Sequence, residues 1–325
     1  MDRVPFHVPV MADQVVALFA GAPAGVVLDA TVGSGGHAEA LLSAYDALSV
    51  LGIDRDAAAL RIAAPRLARF AHRVLLRQGR FMELASILDQ VVSAGWPAEP
   101  SGDGTLSGAL FDLGVSSAQL DSAERGFSYS RTGPLDMRMD QGEPLTAAQL
   151  VNEGDREELI AWLRASGEGP SARRIVDAIV RSRPLETTTD LVQVVDSALG
   201  GSRPRRGNPA ARVFQALRIA VNAEPEELGA GLPAALGRLG HNGRCLVIAY
   251  HSGEARLVKE IFSQAVSSGC VCPQGVECGC GRATRFSWVF RGSRGPDEAE
   301  KLANPRSTSA RLWAVERVDR TEGAS

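Results

Sequence analysis

Several features that define other protein classes are missing from this 325-residue sequence. No apolar stretch approaches the roughly 20 residues that a membrane helix needs. The first nine residues include charged side chains and lack the apolar core of a secretion signal. No G-x-x-x-x-G-K-[ST] sequence is present, which argues against a P-loop nucleotide triphosphatase. The net charge of −3 argues against a nonspecific polyanion binder. We therefore expect a cytoplasmic protein without a membrane segment.

The order of apolar runs and helical patterns predicts an α/β fold. Short apolar runs alternate with helical periodicity through the first third of the chain, which is typical of a parallel sheet. The predicted strands are 26–30, 48–54, 74–78, 109–112, 245–250, 286–290 and 312–317. The helices predicted between them are 37–44, 57–70, 82–94 and 254–266.

The middle of the chain shows helical signals and no strands. Helices are predicted at 156–165, 172–183 and 191–199, the last with Thr189 as its N-cap. A helical block within an α/β pattern indicates an inserted domain. We therefore predict one domain from residues 1–133 and 213–325, and an all-helical insertion of residues 134–212 that ends in a Gly- and Pro-rich linker.

A glycine-rich turn follows the first predicted strand, with the sequence Asp29-Ala-Thr-Val-Gly33-Ser-Gly35-Gly36-His37. Glycines let the backbone turn tightly against a ligand, and the next helix offers free N–H groups. Asp54 ends the second strand, where a carboxylate can accept hydrogen bonds from both ribose hydroxyls of an adenosine. A tight turn alone is weak evidence, but together with Asp54 it predicts an adenosine-containing cofactor.

The spacing of the glycines distinguishes the possible cofactors. A nicotinamide-binding turn reads G-x-G-x-x-G, whereas this one reads G-x-G-G-H and is preceded by Asp29. S-adenosylmethionine (SAM) has no pyrophosphate but carries an ammonium group that suits this carboxylate. The spacing therefore favours SAM, and a nicotinamide oxidoreductase is the weaker alternative.

A second motif, Phe111-Asp112-Leu-Gly-Val, ends the fourth strand. Open α/β sheets bind ligands at these carboxyl ends. The lone pair of an exocyclic amine is delocalised into its ring, so an oxygen that accepts one of its N–H bonds makes the nitrogen more nucleophilic. Asp112 is the candidate for this catalytic role. The alternative is that it caps a turn and only shapes the cofactor pocket.

The segment 125–140 combines aromatic and charged residues. Phe127 and Arg138 can stack on and hydrogen-bond a flipped base, and Asp136 and Asp140 are further candidate catalytic carboxylates. The alternative is an ordered loop that leads into the insertion.

Arginines are concentrated at the exit of the insertion. Arg pairs bidentately with phosphate, so local arginine patches can hold RNA on an acidic protein. The predicted RNA contacts there are Arg203, Arg205, Arg206 and Arg212. The alternative for each is a solvated surface charge.

Four of the five cysteines form the pattern C-x-C-P-x4-C-x-C. Four thiolates with this spacing can close a tetrahedral structural zinc site. The candidate ligands are Cys270, Cys272, Cys278 and Cys280. Four unmetallated thiols are the alternative, because C-x-x-C is more typical of zinc than C-x-C.

Together these motifs resemble the bacterial ribosomal small-subunit RNA cytosine-N4-methyltransferase family, also called RsmH or MraW. The resemblance covers nearly the whole chain, in order, through segments 7–10, 29–37, 52–56, 111–121, 124–127, 133–140, 212–222 and 306–308. It implies a Rossmann-like SAM-dependent methyltransferase sheet with an inserted all-helical, substrate-recognition domain. It also implies methylation of a cytosine N4 in the decoding region of 16S ribosomal RNA.

The resemblance implies a set of SAM contacts as well. It places them at Gly35, Gly36, His37, Asp54, Phe81, Asp112 and Gln119. Gly33 joins this set from the turn motif itself. Two of these residues have ordinary alternatives, since His37 can simply start a helix and Phe81 can belong to the core. The chain departs from the family pattern after the fifth strand, where Gly253 and Ala255 replace Leu and Asp.

The expected partner is 16S ribosomal RNA or the small ribosomal subunit, with no DNA and no membrane, and a homodimer remains open. Two further alternatives stay in view. One is a noncatalytic RNA-binding or assembly factor that retains SAM. The other is a methyltransferase that acts on protein or small molecules.

Overall fold

The computed structural model describes residues 8–96, 105–200, 208–267 and 285–318. Clustering of contacts divides the chain into two compact units. The first comprises Met1–Gly114 and Glu226–Ser325, and the second comprises Val115–Pro225. Within the described ranges, no helix is both long enough and apolar enough to cross a bilayer.

The first unit is built around a seven-stranded sheet. Its strands are β1 (Gly25–Asp29), β2 (Leu48–Asp54), β3 (Val74–Gln78), β4 (Leu106–Asp112), β5 (Leu239–Ala249), β6 (Phe286–Trp288) and β7 (Arg311–Arg317). They lie in the order β3-β2-β1-β4-β5-β7-β6. Strands β1 to β5 are parallel, and β7 is antiparallel to β5 and β6. The predicted Rossmann-like sheet is confirmed, with its topological switch point between β1 and β4.

The helices follow in chain order. They are α1 (Ala12–Phe19), α2 (Gly36–Ala44), α3 (Ala57–Leu67), α4 (Leu84–Ser93), α5 (Ser117–Asp121), α6 (Ala147–Glu153), α7 (Arg156–Ala165), α8 (Ala172–Arg181), α9 (Thr188–Leu199), α10 (Pro209–Asn222), α11 (Glu224–Arg238), α12 (Ser252–Val266) and α13 (Glu298–Ala303). Helices α5 to α10 belong to the second unit.

The central strands are buried on both faces, which explains their continuous apolar sequence. Along β1, Val27 faces the cluster that contains α1, and Leu28 faces the cluster that contains α4, α11 and α12. Both side chains are fully buried. Helices thus cover both faces of the sheet. The turn residues, Asp54 and Asp112 lie at the carboxyl ends of β1, β2 and β4.

The second unit is all helical and has its own core. It is wider on both sides than the predicted insertion of residues 134–212. Phe127, upstream of that range, packs in the same core as Phe214 and Leu217 of α10. The predicted boundary at residue 212 falls inside α10, whose apolar face continues to Val221. The extent of the second unit is therefore set by its hydrophobic core. The strand-free range of the sequence, from which residues 134–212 were predicted, lies inside that unit.

The predicted N-cap of α9 was wrong by two residues. The helix begins at Thr188 and is capped by Thr187, whose side chain accepts a hydrogen bond from the Asp190 N–H. The Asp190 carboxylate accepts the Thr187 N–H at 2.9 Å in return. This reciprocal capping box satisfies two backbone donors, which the predicted cap at Thr189 does not.

Candidate active site

The glycine turn joins β1 to α2 and requires its glycines. Gly33 and Gly35 have left-handed φ values of 51° and 82°, which side chains with a Cβ rarely adopt. Gly35 is also the N-cap of α2. A Cβ on Gly36 would lie 3.2 Å from the Pro9 ring. The turn therefore packs closely against Pro9, and the first backbone N–H groups of α2 follow directly after it.

Asp54 ties this turn to the end of β2. Its Oδ2 accepts the Gly33 N–H at 2.9 Å, and its Oδ1 accepts the Asp56 N–H at 2.8 Å. Burial raises the pKa of Asp54 to about 6, although both backbone hydrogen bonds oppose the rise. A carboxylate oxygen accepts two hydrogen bonds, so each oxygen keeps acceptor capacity for a ribose hydroxyl.

Two buried polar side chains in the turn are incompletely satisfied. Asp29 is fully buried, and its Oδ2 has no hydrogen-bond partner among the described residues. Burial raises the pKa of Asp29 to about 7, partly offset by His37. Burial lowers the pKa of His37, but the neighbouring Asp112 carboxylate and the charge of Asp29 raise it on balance. Unsatisfied groups at a helix N-terminus fit a small ligand that carries both an ammonium and a carboxylate.

Asp112 lies beside this turn at the end of β4. Its backbone N–H donates to the Thr31 hydroxyl at 2.6 Å. The Tyr250 hydroxyl donates to its Oδ1 at 2.7 Å, and His37 Nε2 lies 3.3 Å from its Oδ2. The His37 contact has ion-pair distance without hydrogen-bond geometry. The carboxylate is 22% exposed, so it is held in place and still reachable.

Tyr250 is the residue of this site that the sequence reasoning missed. It follows β5 directly, and β5 is the parallel neighbour of β4. The signal that points to it is its position, because the carboxyl ends of adjacent parallel strands meet at one edge of the sheet.

Phe81 follows β3 and is half-buried. Its ring contacts Phe111 edge-on, with centroids 5.2 Å apart. Arg80 and the Met82 N–H anchor this segment to the buried Glu227 carboxylate, at 2.7 and 3.0 Å. Phe81 thus packs partly against the core, which was the alternative interpretation of this residue. Its contact with adenine stays a prediction.

Gln119 lies in the helical unit, at the start of α5. Its Oε1 accepts the Ser116 N–H at 2.9 Å and closes a capping box. This contact gives the buried side chain a structural role, and its contact with SAM stays a prediction.

The loop of residues 125–140 corrects part of the predicted RNA and catalytic set. Phe127 is 6% exposed within the helical core, so its ring is not available to stack on a base. Arg138 and Asp136 form a bidentate pair at 2.9 and 2.7 Å, and Arg138 also donates to two backbone carbonyls. Arg138 hydrogen bonds and charge outweigh burial and lower the pKa of Asp136. These residues stabilise the loop.

Asp140 and Arg212 are also engaged within the helical unit. Asp140 Oδ1 accepts the Gly142 N–H at 2.9 Å. Arg212 pairs with Glu168, whose side chain is 5% exposed. A buried carboxylate needs its cationic partner, so Arg212 has a structural role in this pair, and its contact with RNA stays a prediction.

Two residues that the sequence reasoning passed over brace the same loop. Arg125 donates to the carbonyls of Arg138 and Met139, both at 2.9 Å. Buried Asn222 accepts the Met139 N–H and donates to the Met137 carbonyl, both at 2.8 Å. Met137 has a left-handed φ of 59° and is fully buried. The long motif at 133–140 is therefore a loop with a fixed, strained backbone.

The departures at Gly253 and Ala255 fall at the start of α12. His251 caps this helix, and Glu254 closes the box by accepting the His251 N–H at 3.2 Å. A Cβ on Gly253 would lie 3.2 Å from His251 Nδ1. Ala255 packs against the core of the first unit. The helix therefore begins and packs without the Leu and Asp of the family pattern.

The remaining predicted residues lie outside the described ranges. They are Arg203, Arg205, Arg206, Cys270, Cys272, Cys278 and Cys280.

Comparison with known proteins decides the family. The model of the MraW methylase family matches residues 5–318. The chain belongs to the MraW methylase family. The predicted resemblance and the prediction of a methyltransferase are thereby confirmed, and a nicotinamide oxidoreductase is excluded.

Similar relatives carry one name, ribosomal RNA small subunit methyltransferase H. The protein of Mycobacterium avium is 46% identical over 96% of this chain and 82% of its own length. That of Thermobifida fusca is 44% identical over 97% and 94%. A solved rRNA methylase from Streptococcus thermophilus covers 98% of this chain and 99% of its own at 13% identity, but its TM-score of 0.41 adds nothing to the assignment.

Proposed function

We propose that this protein transfers a methyl group from SAM to the exocyclic N4 of a cytosine in the decoding region of 16S ribosomal RNA. The observation that carries the proposal is the Asp112 carboxylate, held beside the glycine turn at the end of β4 and still partly exposed. The family and the names of the relatives support the RNA substrate.

We assign the cofactor to the turn and the strand ends around it. Gly33, Gly35 and Gly36 let the backbone approach the ligand, Asp54 accepts the ribose hydroxyls, and Phe81 packs on the adenine. His37 and Gln119 complete the proposed contacts. SAM supplies an already activated methyl group when bound. The chain therefore contributes mainly the positioning of the two reactants and the exclusion of water.

Asp112 acts on the acceptor amine in this proposal. Its Oδ1 accepts one hydrogen bond from Tyr250, and each carboxylate oxygen can accept two. A free lone pair therefore remains for an amine N–H. Accepting that hydrogen bond makes the N4 lone pair more available, and the proton that the nitrogen loses passes to Asp112. Asp140 is the alternative acceptor, because Asp136 is committed to Arg138.

Nucleoside mass spectrometry tests the proposed product. Small-subunit ribosomal RNA that lacks the modification is incubated with the protein and SAM, digested to nucleosides and compared with a reaction without SAM. We expect N4-methylcytidine in the complete reaction. Methylation of RNA at another atom would reject the cytosine-N4 assignment but retain the RNA methyltransferase.

We propose that the helical unit contacts the RNA through the outer face of α8. This face carries three exposed arginines, Arg173, Arg174 and Arg181, and none has an ion-pair partner among the residues that the structure describes. Asp177 on the same helix is neutralised by Arg156, whose Nε donates to it at 2.8 Å. The face is therefore positively charged and suits phosphate groups.

Replacement of all three α8 arginines by Gln is expected to weaken RNA binding by about tenfold or more and to lower its salt slope by about two to three, roughly one per lost phosphate contact. SAM binding should not change. Fluorescence anisotropy with an RNA fragment over a range of salt concentrations measures both quantities. Arg61→Gln, an exposed arginine of α3, is the matched control. If the triple variant binds RNA with the same affinity and salt slope as the unchanged protein, these arginines are solvated surface charges that do not contact RNA.

Arg203, Arg205 and Arg206, which lie outside the described residues, stay predicted RNA contacts. A structural zinc at the four cysteines, a homodimer and a cytoplasmic location also stay predictions.

A further inference from the structure

The Tyr250 hydroxyl and the Asp112 carboxylate meet at the ends of neighbouring strands. Asp112 is paired in register with Ile248, and Tyr250 lies two residues further along the chain. The hydroxyl donates to Asp112 Oδ1 at 2.7 Å. Side chains 138 residues apart are thus joined at the centre of the proposed site.

The position of Tyr250 is fixed from two sides. Its backbone N–H donates at 2.8 Å to the buried Glu254 carboxylate, which also closes the capping box of α12. On the other side, the chain that leaves β4 passes the Tyr250 ring at Gly114, where a Cβ would be in ordinary van der Waals contact with the ring at 3.5 Å. The left-handed φ of 92° at Gly114 is what favours glycine there. The phenol is therefore a preset donor.

Burial and the negative charge of its surroundings keep Tyr250 protonated. Burial raises the pKa of the phenol well above its usual range, and the Asp112 carboxylate raises it further. The other titratable groups here are His37 and Asp29 on the Asp112 side, and Glu254 and Glu300 on the Tyr250 side. The hydroxyl therefore remains a donor to the Asp112 carboxylate.

We propose that Tyr250 is a positioning residue for methyl transfer, whose hydroxyl fixes the rotamer of Asp112. The inference rests on the proposed role of Asp112 as acceptor of the amine N–H. His37 Nε2 lies 3.3 Å from the second carboxylate oxygen without hydrogen-bond geometry, so the Tyr250 hydroxyl supplies the hydrogen bond that orients the Asp112 side chain. A carboxylate held in one orientation presents its free lone pairs in one direction, which a proton acceptor needs before the substrate arrives.

Tyr250→Phe keeps the ring and removes only the donor. At saturating SAM, we expect the single-turnover rate to fall about tenfold, as for loss of one hydrogen bond to a charged group. SAM affinity, measured by calorimetry without RNA, should stay within about twofold. Tyr45→Phe is the matched control, because the Tyr45 hydroxyl also makes one internal hydrogen bond, to the Val16 carbonyl at 2.8 Å.

The Asp112→Ala background separates the possible failures, because it leaves no side-chain oxygen for Tyr250 to hold. If the inference holds, adding Tyr250→Phe there lowers the rate no further. If Asp112→Asn itself is fully active, the proposed acceptor role fails. If Asp112→Asn is slow but Tyr250→Phe keeps the normal rate, the Tyr250 inference alone fails. A slower Tyr250→Phe with an equal further loss in the Asp112→Ala background also contradicts it, because the tyrosine would then act through packing.

Discussion

Asp112→Asn is expected to lower the rate of methyl transfer by about 10²-fold or more at saturating SAM, the range for loss of a positioned proton acceptor. Asn retains an oxygen that can accept from Tyr250, so the geometry of the site is preserved while the negative charge is lost. SAM affinity should fall less than the rate, because Asp54 and the glycine turn still hold the cofactor. Single-turnover methylation separates the two effects.

Asp140→Asn is the companion to that variant. Asp140 is the other candidate acceptor, and its carboxylate makes one short-range contact, with the Gly142 N–H. We expect this variant to methylate at close to the normal rate. A normal rate for Asp112→Asn together with a large loss for Asp140→Asn would transfer the acceptor role and leave Asp112 as a pocket residue.

SAM affinity is expected to depend on pH through Asp54. Burial raises the pKa of this carboxyl to about 6 in the free protein, and the ionised form is the one that accepts ribose hydroxyls. Affinity should therefore be highest above pH 6 and fall as the pH drops below it, by up to about tenfold per unit. Asp54→Asn should weaken binding by about 10²-fold at pH 8, as expected for loss of charge-assisted hydrogen bonds, and should remove the dependence near pH 6.

Calorimetry from pH 5 to pH 8 on both proteins measures this difference. Asp29 also titrates in both proteins. Burial raises its pKa to about 7 and the Asp54 charge contributes to that rise, so Asp29 titrates at lower pH in Asp54→Asn. Asp56→Asn is the control for charge removal nearby, because Asn also serves as an N-cap and Asp56 caps α3. The assignment of Asp54 is wrong if Asp54→Asn binds SAM with normal affinity and an unchanged pH dependence.

The features that follow from local sequence could be predicted. The strands at 48–54 and 74–78 have the predicted bounds, because each is an apolar run limited by turn residues. The turn at Gly33 to Gly36 could be placed because its left-handed glycines have few substitutes. The position of Asp112 at the carboxyl end of a strand could be predicted as well, whereas its place beside the turn depends on the adjacency of β1 and β4.

The features that depend on distant partners could not be predicted. Tyr250 and Asp112 are 138 residues apart, and Asn222 braces a loop that lies 83 residues earlier. Arg138 and Arg212 look like RNA contacts in the sequence, but their partners Asp136 and Glu168 hold them within the helical unit. A basic residue in a sequence does not reveal which carboxylate lies beside it. The α8 arginines became candidates only once the structure showed which charges are unpaired.

The most direct test of the account is the identity of the methylated macromolecule. Tritiated SAM is incubated with the protein and, in separate reactions, with small ribosomal subunits, naked 16S ribosomal RNA and ribosomal proteins without RNA. Label should enter RNA in at least one of the first two reactions, should not enter protein, and should be nearly absent with Asp112→Asn. Label found in protein alone, or no label in RNA while calorimetry shows bound SAM, would contradict the proposed RNA methyltransferase.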